Sequence, residues 1–367
     1  MTPILIDGSV LEGGGQILRN SISLSSLLSK SVSIHKIRNG RKPPGLKNQH
    51  RTGLELAANI VSAELRGATS GSTEIDFVPG TLRLPGHFTA DSVTAGATTL
   101  MLQIAFPILL FSHQLAPSSL ILKGGTNASH APQIDYTQHV FLPFVRKHFG
   151  IDATLEIKRR GYYPKGGGEV HVQVSPMADK IRAFTLVERG SVKAVKGIAH
   201  LAGLPSHIGK GMVEGAKGYL AGNPDLDGVP VEIESKRERN DNTVGAGSGI
   251  VLWAELEGSG IVGGDALGKK GLDAQAVGRL AAESLIRGLS AGGCVDEWLQ
   301  DQIIIFMALA EGTSEIKCGK GELELHTKTA IWVAQQLTDA KFEVELDSSG
   351  CTLIRCRGIG YSLQGNK

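Results

Sequence analysis

Apolar residues along the first half of the chain alternate between two spacings. Short runs at residues 4–7, 32–37, 74–78, 120–123, 153–158 and 169–174 carry the every-second-residue pattern of half-buried strands. Between them the spacing lengthens toward 3.6 and predicts helices over 16–28, 46–64, most of 92–111, and 136–149. The first of these turns Ile17, Leu18, Ile22, Leu24, Leu27 and Leu28 inward, and Pro43-Pro44 precedes the second. Strands that alternate with helices and close in hairpins read as α/β material in an α+β sandwich. Gly13-Gly14-Gly15, Gly124-Gly125, Gly166-Gly167-Gly168 and Gly292-Gly293 each border such a segment, a sign of a repeated unit.

Near residue 185 the texture changes. Strands are predicted at 192–199, 229–235 and 249–256, and helices at 208–221 and 274–289, with glycine-rich loops between. This divides the chain into 1–184, a smaller α/β insertion at 185–284, and 285–367. Further on, Leu323 and Leu325 alternate with polar neighbours and predict a strand over 322–330. Thr327 or Thr329 would cap the helix built by Ala330, Trp332, Val333 and Leu337. His326 then sits at a strand-to-helix junction, a position where side chains meet bound anions.

A chain of 367 residues with 41% hydrophobic residues supports one large or two ordinary domains. Its net charge is +2, so contact with nucleic acid must come from local basic clusters. Cys294, Cys318, Cys351 and Cys356 show no CxxC spacing, which suggests neither a zinc site nor a disulfide framework. Asp7 interrupts the first apolar stretch and excludes a signal peptide, and 100–111, broken by Gln103 and Pro107, is too short to span a bilayer. An intracellular protein is expected, nuclear if the source is eukaryotic.

Candidate chemistry lies in two N-terminal segments and in the polar glycine-rich loops 123–136 and 160–169, either of which could line a cleft or merely close a hairpin. In the run from Asp7 to Arg19, three glycines open a helix, so that backbone N–H groups face an anion. Glu12 offers a hard oxygen to a divalent metal, and Arg19 can grip a phosphate bidentately. A tight turn with a solvated carboxylate and arginine is the alternative reading. From Lys36 to Arg51 the chain packs six Lys/Arg and His50 into 16 residues held by prolines and glycines, a patch suited to a phosphodiester chain or simply to solvent.

Six segments occurring in order, EGGGQILR, IRNGRKPPGLKNQH, KGGTNASHAPQIDY, RGYYPKGGGEV, VDEWLQDQ and LHTKTA, make the chain closely resemble the RNA 3'-terminal phosphate cyclases, nearest their eukaryotic branch. The resemblance runs from Ile4 to Gly360. It implies a large domain of three βαβαββ units similar to the C-terminal domain of translation initiation factor 3, with a smaller α/β domain inserted. It implies ATP-dependent conversion of an RNA 3'-phosphate to a 2',3'-cyclic phosphodiester, with Mg2+ or Mn2+, releasing AMP and diphosphate. His326 would be the nucleophile and Glu12 the metal ligand. Arg19, Arg38, Arg41, Gln49 and His50 would surround phosphates; Gln103, Pro132, Trp298, Asp301 and Gln302 would form the nucleotide pocket, with Asp301 orienting the imidazole. Trp298 departs from the family pattern, where tyrosine is usual. A non-catalytic cyclase-like protein of ribosome biogenesis is the competing reading, and the intact LHTKTA argues against it.

Overall fold

A computed structural model of the chain describes residues 2–363. Three four-stranded sheets repeat one topology. In the first, β1 (Ile4–Asp7), α1 (Gly15–Leu28), β2 (Val32–His35), α2 (Asn48–Ile60), β3 (Glu64–Arg66) and β4 (Ile75–Val78) give the order β1-β2-β4-β3. The first two strands are parallel and the rest antiparallel. The second repeats this with β5 (His87–Asp91), α3 (Thr98–Leu109), β6 (Ser118–Gly124), a helical segment, β7 (Ala153–Arg159) and β8 (Gly168–Val174), ordered β5-β6-β8-β7. That segment is a short α4 (Ile134–Tyr136), a wider π turn and α5 (Leu142–Phe149).

The third unit is interrupted. Its first strand, β9 (Thr185–Leu186), is followed by an insertion of β10 (Val192–Ala202), α6 (Ser206–Leu220), β11 (Val231–Arg237), β12 (Gly247–Leu256), β13 (Ile261–Leu267) and α7 (Ala274–Ser290). Only then come α8 (Glu297–Leu309), β14 (Thr313–Lys320), α9 (Leu325–Leu337), β15 (Lys341–Leu346) and β16 (Cys351–Arg357), with β9 parallel to β14 across the gap. The insertion has its own sheet, β11-β10-β12-β13, and its own core of residues from Val195 to Leu289.

The helices of the three units meet in the middle. α1 packs on α2, α3 and α9, α3 packs on α8, and α8 on α9. This explains why α1 buries nearly everything from Gln16 to Leu27, its serines included. Small hydroxyl side chains let the helices approach, and the Ser23 hydroxyl bonds the carbonyls of Arg19 and of Ile104 on α3. Phe106, Phe141 and Phe306 join two of the units, with centroids 5.6–6.1 Å apart; Phe106 meets the other two edge to face and Phe141 lies tilted to Phe306.

A buried polar network ties the insertion to the second unit. Arg160 donates to both oxygens of Asp135 at 2.6 Å and to Glu238 of the insertion at 2.9 Å. His200 on β10 meets the Tyr162 hydroxyl and the Gln133 amide oxygen, each at 2.8 Å. Burial alone would raise the Asp135 pKa, but the Arg160 charge and the bonds from Arg160 and Asn127 outweigh it and hold the carboxyl well below the usual range. Burial pushes His200 down to about 3, so its ring is neutral.

Several expectations change. Residues 322–330 form no strand: Leu323 is buried, but Leu325 is half exposed and opens α9. His326 therefore lies in the first turn of a helix. Neither Thr327 nor Thr329 caps it; Glu324 holds the N-cap position without a side-chain bond. The helix predicted over 46–64 is shorter, its last residue instead starting β3. Likewise 92–97 is loop before α3, because Gly96 and the Ser92 turn pack against Gly124 and Gly125.

Candidate active site

The N-terminal ends of the helices converge on one cleft of about 380 Å3. Eleven of the twelve residues singled out from sequence line it: Glu12, Arg19, Arg38, Arg41, Gln49, His50, Gln103, Pro132, Trp298, Asp301 and His326. Each unit contributes from its own helices or the turns before them. Helix N-termini carry partial positive charge and free N–H groups, so the convergence favours anions before any side chain is counted.

The floor is the turn before α1. Gly13 has a φ of +58°, and Gly14 leaves space that the Glu12 carboxylate fills; a Cβ there would collide with both its oxygens. A Cβ at Gly15 would lie 2.7 Å from the Arg19 guanidinium and 2.9 Å from His50 Nε2. Glycine is thus required for these groups to close on the turn. The Glu12 N–H donates to the Thr329 hydroxyl, which itself donates to the Leu325 carbonyl, so the turn is fastened to the helix that carries His326.

Glu12 is the central carboxylate. One oxygen accepts from Arg41 at 2.8 Å and lies 3.7 Å from His326 Nε2; the other is buried without a partner. Glu12, rather than Asp301, is the carboxylate beside the imidazole, which corrects the expectation that Asp301 orients it. Asp301 lines the same cleft as Arg19, and its charge acts on the guanidinium. Burial, reinforced by the Asp296 and Glu12 charges and opposed by Arg19, pushes its pKa up to about 7. Arg19 is itself buried, held by Gln16, and burial depresses its pKa. Orphaned buried atoms on Glu12, Arg19 and Asp301 mark a place built to receive a polar group.

The two histidines have opposite characters. Burial, with Arg19, Arg38 and Lys47 nearby, pushes His50 down to about 3, so it is neutral. Its Nδ1 accepts the Lys47 N–H at 3.1 Å, which leaves the proton on Nε2. His50 is thus a donor aimed at the glycine turn. His326 is 45% exposed at its side chain, and burial also lowers its pKa. Neutral, reachable beside Glu12, and with no hydrogen-bond partner among the described residues, its ring is free to meet a ligand.

The remaining residues set the walls. Arg38 donates to the carbonyls of Pro43 and Gly45 and holds the basic loop in place. Gln49 accepts the Ala97 N–H and joins the first unit to the second. Trp298 is half-buried, its N–H capped by Asp296 at 2.9 Å, and Asp296 also accepts from Gly263 of the insertion. Gln302 does not reach the cleft; its amide donates to the Trp298 carbonyl, and it lines a small enclosed hollow behind. Gly14, Gly15, Lys47, Leu100 and His130 line the cleft without having been singled out, although all but Leu100 fall inside the quoted motifs. Among the described residues no group of three or more His, Cys, Asp or Glu is arranged to hold a metal, and no helix is long and apolar enough to cross a membrane.

Arg19, Arg38 and Arg41 line a cleft on which helix N-termini converge, with the His326 imidazole among them, an arrangement suited to anions. The family can be named as well. The chain belongs to the RNA 3'-terminal phosphate cyclase family, whose description matches residues 10–344. It is 41% identical to the RNA 3'-terminal phosphate cyclase of Pyrobaculum neutrophilum, over 98% of this chain and 99% of that one. It is 40% identical to the cyclase of Drosophila melanogaster, over 97% and 96%. The cyclase of Staphylothermus marinus, also 40% identical, is covered completely by 99% of this chain.

Proposed function

We propose that the protein uses ATP to convert an RNA 3'-phosphate into a 2',3'-cyclic phosphodiester through His326. The observation that carries this is the contrast between the two histidines: His50 has both ring nitrogens engaged or protonated, whereas His326 stands free beside Glu12 at the mouth of the basic cleft. Neutral His326 attacks the α-phosphorus of ATP, an N–P bond forms, and diphosphate leaves. An oxygen of the RNA 3'-phosphate then takes the adenylyl group, the N–P bond breaks, and RNA(3')pp(5')A results. The vicinal 2'-hydroxyl attacks the 3'-phosphorus, losing its proton as AMP departs. That last step is intramolecular, where effective molarities reach roughly 10⁵–10⁸ M, so positioning by Arg19, Arg38 and Arg41 suffices.

Trp298 and Pro132 both line the cleft, and the Trp298 ring offers a face on which adenine can stack. The unpartnered oxygen of Glu12 fits a divalent cation of the Mg2+ kind, which takes one or two protein carboxylates and completes its shell with substrate phosphates and water. Such an ion supplies charge neutralisation for the departing diphosphate.

Incubation with α-labelled ATP tests the reading. Wild-type protein is expected to acquire an acid-labile label, His326→Ala to acquire none, and His50→Ala to retain part. Undiminished label in His326→Ala refutes it.

A further inference from the structure

Beyond the catalytic cleft lie two further hollows, of about 600 and 680 Å3. The first shares Arg38, Lys47, Gln49, Leu100 and His130 with the cleft, so the two are continuous. The second shares Ser129 and Tyr163 with the first and runs on between the second unit and the insertion, ending at Lys269 and Lys270. The three form one trough that starts at His326 and crosses a domain boundary.

Two properties of this trough point to its occupant. Among the described residues, none lining either outer hollow is Asp or Glu, although the chain carries 36 of them against 38 Lys and Arg. Arg38, Lys47, Lys269 and Lys270 are therefore unopposed along its walls. At the junction of the two hollows stands Tyr163, 78% exposed, on a loop whose neighbours are fixed: Tyr162 packs against Gly247, and Gly167 against Val244 of the insertion. A rigidly mounted aromatic face in a groove of one charge sign is the arrangement by which single strands are held, with phosphates on the cations and a base on the ring.

We propose that the RNA strand upstream of the 3'-phosphate lies in this trough, stacks a base on Tyr163 and places its phosphates against Lys47, Lys269 and Lys270. Each hollow has the volume of a small-ligand site, so the trough holds on the order of two to four nucleotides beyond the terminal one. The inference rests on the cyclase reading for the identity of the strand, but its test does not require turnover.

The test is fluorescence anisotropy of labelled 3'-phosphorylated oligoribonucleotides two to ten nucleotides long, with the full chain. Wild-type affinity is expected to rise with length and level off after about five nucleotides. Tyr163→Ala should lose on the order of tenfold for the long oligomers and nothing for the dinucleotide, while Tyr163→Phe keeps the wild-type value. Lys269→Ala with Lys270→Ala should reduce the salt slope of long-oligomer binding by about 0.7 per lysine. Labelling of His326 by ATP should be unchanged in all of these variants. Failure of that labelling in the wild type would refute the cyclase reading and leave the length series to be judged alone. Affinity independent of length, equal losses for short and long oligomers, or polyglutamate competing as well as RNA would overturn the proposal.

Discussion

Removing the Arg160 guanidinium is expected to be among the most damaging single changes in the molecule. Its side chain is 1% exposed and that of Asp135 0%, and their two bonds are the bidentate kind. Arg160→Met keeps most of the volume but leaves Asp135 a buried anion with only Asn127 and His200 beside it. Breaking a buried pair in this way costs about 3–5 kcal/mol, most of it from the uncompensated charge. With a urea m-value of roughly 3 kcal/mol/M, the midpoint falls by about 1–1.7 M. Tryptophan fluorescence reports it, since Trp253 lies in the insertion and stacks on His139 of the second unit. Asp135→Leu combined with Arg160→Met should recover at least half of the loss, because the fully buried Asp135 charge is gone and Glu238, which also loses Arg160, is 14% exposed to water. A midpoint change below about 0.3 M for Arg160→Met, or a double variant worse than the single, would refute the reasoning.

Three further predictions follow the same logic. His200 titrates at about 3 in the folded protein, so between pH 6.5 and 3 the unfolded chain holds one more proton at this position and wild-type stability falls with pH by about 1.4 kcal/mol per unit. Asp296 and Asp301, raised to about 6 and 7, act in the opposite sense; the difference between wild type and His200→Gln is therefore the clean measure. That difference should move by about 3 kcal/mol in favour of the variant from pH 7.5 to 4.5, and a constant difference would contradict it. Gly14→Ala should drive the Glu12 carboxylate from its seat and lower ATP labelling of His326 more than tenfold, with a stability loss of about 1–3 kcal/mol; normal labelling across a metal titration would exclude that role for Glu12. Trp298→Ala should weaken ATP binding by roughly 1–3 kcal/mol while Trp298→Tyr stays near neutral; a large drop in melting temperature with unchanged affinity would make Trp298 a core residue instead.

Much of the fold was legible because helices such as α6 and α7 are one-sided, and their patterns match their surroundings. What failed did so for physical reasons. In α9 the inward stripe begins at Thr327 and Thr329, both fully buried, so polar residues occupy the positions that an apolar count would need. Meanwhile Leu325, counted as buried, faces solvent. The unbroken run Ile303 to Leu309 in α8 is buried on all sides and has no period to read. β13 hides behind Gly263 and Gly264, which are small because the Tyr136 ring and the Leu285 backbone press on them. Most residues of the site were found through motif resemblance. Their partnerships were not, because Glu12 reaches His326 across more than 300 positions and only packing of α1 on α9 makes them neighbours.

The insertion after β9 also bears on how the chain is made. The first two units are complete when their last strands have been synthesised, but β9 must wait about 130 residues for its partner, Glu315 pairing with Thr185. At 5–20 residues per second that is roughly 6 to 26 s on the ribosome. A two-residue strand presents little edge to a wrong partner during that wait. If the insertion folds first, the closure spans about ten flexible residues rather than about 110, which lowers its entropic cost by about 2 kcal/mol. The stability of the insertion thus governs how readily the third sheet closes, and with it the helix pair that carries Asp301 and His326.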